Sequence, residues 1–98
     1  MKTFYSEYVR HCMKFYTRYP HPSFENEIDK LNWTACEEAM KNYTDTERRI
    51  LVYVYNLEGV MPENVFQTAR ACGVGQDAVW RLVKDLERRI AKGRQLIY

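Results

Sequence analysis

The chain has 98 residues, 46% hydrophobic and 29% charged, enough for one core, too few for two, and globular rather than disordered in composition. Four glycines and three prolines leave room for long regular elements, which favours helices. The net charge of +2 does not by its total imply nucleic acid, and three scattered cysteines exclude a disulfide framework.

Residues 3–18, "TFYSEYVRHCMKFYTR", place Tyr5, Val9, Cys12, Met13 and Tyr16 at helical spacing. "YPHPS" at 19–23 ends that helix, because two prolines two residues apart cannot continue it. Ser23 reads as the N-cap of a second helix, in which Phe24, Ile28, Leu31, Ala35 and Ala39 form one apolar stripe. Thr44 and Glu47 then make a capping-box pattern, opening a third helix with Ile50, Leu51, Val54 and Leu57 on its apolar face. The β-branched run in "ILVYVY" also suits a strand, but the cap in front and Gly59 behind favour helix. At six residues that run is far too short to cross a bilayer.

Pro62 suits the first turn of a fourth helix, which carries Val65, Phe66 and Ala69 and ends at Gly73. A fifth helix is expected from Gly75–Gln76 to about Lys92, with Val79, Leu82, Val83, Leu86 and Ile90 as its stripe. The expected fold class is all-α, a five-helix single domain. Residues 1–43 form a helical pair that packs on the core, and residues 44–98 end in a helix-turn-helix.

That unit has mechanical requirements. A small residue late in its first helix lets the second approach, and a turn glycine supplies positive φ. Two apolar residues anchor the second helix, whose opposite face must be polar or basic to enter the major groove. Ala69, Gly73, Val74, Val79 and Leu82 meet the spacing. On a helical wheel Asp77, Arg81, Lys84 and Arg88 share the far side, with Gln76 and Trp80 at its edge. The excess of base is confined to this end. Residues 1–43 carry six basic and six acidic side chains, whereas residues 79–98 carry six basic (Arg81, Lys84, Arg88, Arg89, Lys92, Arg94) against Asp85 and Glu87.

The segment "TDTERRILVYVYNLEG…PENVFQTARACGVGQDAVWRLVKDLERRI" resembles the fourth conserved region of bacterial RNA polymerase sigma factors, over about residues 44–92. The resemblance implies a module that binds double-stranded promoter DNA in the major groove and also touches RNA polymerase. By position, it puts Gln76, Asp77, Trp80, Arg81 and Lys84 against bases and phosphates, and Arg88 further along the backbone. Gly75 stands where the family places a Ser or Thr cap, Trp80 where it places a polar or basic residue, and residues 1–43 do not match the promoter-melting region. The pattern fits a small phage- or mobile-element-type regulator.

His11 and His21 have no ligand set around them, and no nucleophile–base pair or phosphate-binding glycine loop is readable. The expectation is therefore no metal, no cofactor and no catalysis. Cys12, Cys36 and Cys72 read as small buried residues in a reducing cytoplasm, and Met1-Lys2 leads into polar and aromatic residues rather than a signal peptide. The aromatic N-terminal pair is expected to complete the core and to offer a surface for a homodimer or for polymerase. The rival reading is a protein-interaction module that binds polymerase or another regulator without touching DNA.

Overall fold

In the computed structural model, residues 6–18 and 26–96 are described, and they form five α-helices with no strand among them: α1 (Ser6–Arg18), α2 (Glu27–Met40), α3 (Asp45–Asn56), α4 (Met61–Cys72) and α5 (Gln76–Gly93). None is long and apolar enough to cross a membrane.

Local chemistry sets most of the helix ends. Thr44 and Glu47 make the reciprocal box the spacing calls for: the Glu47 N–H donates to Thr44 Oγ1 at 3.2 Å, and the Thr44 N–H donates to Glu47 Oε1 at 2.9 Å. Pro62 lies in the first turn of α4, where its missing N–H costs no hydrogen bond. Ser23 and Phe24 lie outside the described residues. Asn26 caps α2 instead, its Oδ1 accepting from the Asp29 N–H at 2.8 Å.

α5 is the hub and packs against each of the other four helices. Its Val79, Val83, Leu86, Ile90 and Ala91 meet Val9, Cys12 and Met13 of α1, Ile50, Leu51, Val54 and Tyr55 of α3, Val65 and Ala69 of α4, and Cys36, Ala39 and Met40 of α2 in one cluster. Packing of this continuous apolar face, rather than helix propensity, holds helices of 12 to 18 residues in place.

Three sequence expectations need correction. In α2 the buried face is Asn32, Cys36, Ala39 and Met40, while Ile28 and Leu31 are 60% and 45% exposed. Residues 32, 36 and 39 have the same helical spacing as 28, 31 and 35, one step round the helix, and the polar Asn32 disguised them. Asn32 is buried because its Oδ1 accepts from the Tyr8 hydroxyl (3.0 Å) and from Arg94 Nε (2.6 Å). In α4, Phe66 is 45% exposed, and Asn64 takes an interior place by donating to the carbonyls of Leu57 (3.2 Å) and Gly59 (2.9 Å). In α5, Leu82 is only partly buried at the edge of the cluster, and Val83 is fully buried. The apolar face centres on Val83, about 40° round the helix from Val79.

Candidate nucleic-acid interface

The connection between α4 and α5 is three residues, Gly73 to Gly75. Gly73 has φ 68 and ψ 35, the left-handed conformation in which a side chain is strained. It closes α4 with the Ala69 carbonyl, which accepts from the N–H groups of Gly73 and Val74, the latter at 3.0 Å. Val74 then turns inward against the core. Gly75 is extended (φ −74, ψ 152), so its backbone does not demand glycine, and no side chain caps α5. Asp77 in the first turn complements the positive end of the helix dipole.

Beyond this connection the six candidate contact residues fall as follows. Gln76, Asp77, Arg81, Lys84 and Arg88 are exposed. Trp80 is half-buried, packing one side on the core, and the Lys84 ammonium lies 5.9 Å from its ring centroid. Steps of three and four place Asp77, Arg81, Lys84 and Arg88 on one stripe, with Lys92 continuing it. Among the described residues, no carboxylate lies within ion-pair distance of Arg81, Lys84, Arg88 or Lys92.

The other charges of α5 are engaged in the fold. Arg89 Nε donates to Asp85 Oδ2 at 2.9 Å, and its guanidinium lies 5.9 Å from the Tyr43 ring centroid. The Tyr43 hydroxyl also donates to Asp85 Oδ2, at 2.5 Å. That bond, then Arg89, holds the Asp85 carboxyl below the usual carboxylate range. Glu87 is buried, and its Oε2 accepts from Arg10 Nε of α1 at 2.9 Å and from the Tyr55 hydroxyl of α3 at 2.8 Å. Both acids of the last stretch are thus neutralised internally, and the exposed stripe is more basic than the net count suggests. Glu87 escaped the sequence reading as an interior residue, although a signal existed: it sits four residues after Val83 and three before Ile90, on the buried stripe. Arg70, exposed in the last turn of α4 and 5.9 Å from the Phe66 ring centroid, is a further cation near the connection that the spacing argument passed over.

His11 is exposed and His21 lies outside the described residues; among the described residues no three His, Cys, Asp or Glu side chains cluster as ligands. What the arrangement offers is a rigid cationic rod with an aromatic edge, presented on one side of the molecule. Comparison with family models, with curated proteins and with solved structures finds no match to this chain.

Proposed function

We propose that the chain is a DNA-binding transcription regulator in which α4 and α5 act as a helix-turn-helix, with α5 entering the major groove. The observation that carries this reading is the unpaired stripe Arg81–Lys84–Arg88 on the helix that follows a left-handed glycine turn. A cationic side chain already matched by a carboxylate gains little from a phosphate. One left unmatched gains the release of condensed counterions. Arg81 and Lys84 are assigned to guanine edges or phosphates, Arg88 to a phosphate, and Gln76, Asp77 and Trp80 to the flanks of the contact. The resemblance to the sigma-factor region supports the same assignment and adds RNA polymerase as a protein partner.

Asp77 on the same stripe favours the rival, a module that binds polymerase or another regulator without DNA. Salt dependence separates the two. Neutralising about three phosphates gives a slope of log K against log salt of about −2.7, whereas absence of binding to duplex at about 50 mM salt selects the rival. In the same assay Arg81→Ala is expected to cost about 1–3 kcal/mol of specific affinity with an unchanged melting temperature. Unchanged affinity removes Arg81 from the interface.

A further inference from the structure

The α2 stripe that the sequence patterned for burial is left partly uncovered. Ala39 is buried, Ala35 is half-covered near Gly93 of α5, and Leu31 and Ile28 stand out. Between this stripe and the end of α5 runs a groove of about 400 Å³. Leu31, Ala35 and Ala39 line its α2 side, and Arg89, Lys92 and Arg94 its α5 side. The acid on its lining, Glu38, is held by Lys41 at 3.1 Å, outside the groove's own cations. Lys92 has no carboxylate partner among the described residues.

We propose that this groove docks an acidic amphipathic helical segment of a partner protein. Leu31 and the half-covered Ala35, about one turn apart above the buried Ala39, present the apolar surface of the groove and match anchors at helical spacing on the incoming segment. Of the cations on the α5 wall Arg89 is matched by Asp85, whereas Lys92 and Arg94, the latter donating to the neutral Asn32, have no carboxylate among the described residues. Carboxylates along one flank of that segment therefore meet these two while its apolar face covers Leu31. Charge complementarity selects acid over base and sets which way the segment lies. The groove does not rest on the DNA reading and contains none of the residues assigned to DNA. It lies on the Arg89 and Gly93 side of α5, across the basic stripe from Trp80, and Lys92 belongs to both.

The test is titration of isotopically labelled full-length chain with a sixteen-residue peptide carrying leucines at steps of three and four and glutamates elsewhere. A control peptide carries lysine in place of glutamate. The expected result is saturable amide shifts at Leu31, Ala35, Ala39 and Gly93 with the acidic peptide, and none with the basic one. Leu31→Glu and Lys92→Glu, both at exposed side chains, are each expected to weaken binding about tenfold or more without lowering the melting temperature. No saturable shift, equal binding of both peptides, or shifts confined to other surfaces overturns the proposal. So does a short DNA duplex that perturbs these groove residues where the acidic peptide does not. A groove that fills while Arg81→Ala leaves DNA binding intact refutes only the DNA assignment.

Discussion

Removing the buried carboxylate of Glu87 tests how α5 is held. Its side chain is 6% exposed, and one oxygen, Oε2, serves two donors from two other helices. In Glu87→Ala the Tyr55 hydroxyl, fully buried, loses its acceptor and has no water to turn to, a cost of about 1–3 kcal/mol. Arg10 is 22% exposed, so its guanidinium swings outward, and its share is discounted to about 1 kcal/mol. The total is about 3 kcal/mol. In a domain this small that lowers the melting temperature by about 12–24 °C. Glu87→Gln keeps an acceptor for Tyr55 and loses only the charge, so it is expected to cost about 1 kcal/mol. Thermal and denaturant unfolding followed by circular dichroism measure both variants. A loss below about 1 kcal/mol for Glu87→Ala, or equal losses for the two, refutes the reasoning: either Tyr55 has another acceptor or the ionic contact dominates.

Other expectations follow from particular groups. Thr68 is fully buried with its hydroxyl unpartnered, so Thr68→Val is expected to stabilise by about 1 kcal/mol; destabilisation in chemical denaturation would reveal a partner for Oγ1. Cys72 is exposed, against the sequence expectation that all three cysteines are buried, whereas Cys12 and Cys36 are buried, and burial raises the Cys12 thiol to about 11 and pushes Cys36 higher still. A thiol reagent at neutral pH should therefore modify one cysteine quickly and the other two only on unfolding; three equal rates would contradict the packing. Burial first, and then carboxylate acceptors, also raise Tyr16, Tyr43 and Tyr55 above their ordinary value of 10.0. Groups whose folded values are raised contribute fully below their unfolded values, and that contribution fades as pH rises. Unfolding free energy should thus hold steady to about pH 8, decline above that as the unfolded thiols ionise, and decline faster beyond about pH 10 as the unfolded phenols follow. A stability that rises across that window would invert the assigned signs.

Reading the chain without coordinates recovers what neighbouring residues decide. The Thr44–Glu47 box, the proline in the first turn of α4 and the left-handed Gly73 are fixed by atoms within about one helical turn of each other, so type and spacing suffice. The exposed placement of Arg81, Lys84 and Arg88 is legible for the same reason: three cations on one face of a helix leave that face to water. Rotation of a helix about its axis is different, because spacings of three and four tolerate an error of one step. That error matters for α2, where Ile28 and Leu31 are outside and Asn32 inside, and for α5, where Val83 rather than Leu82 is the deep anchor. The deciding groups are distant in the chain: Arg94 reaches Asn32 from 62 residues away, and Arg10 reaches Glu87 from 77. A polar side chain is stable in the interior only when a partner arrives to satisfy it, and which partner arrives is a property of the assembled helices.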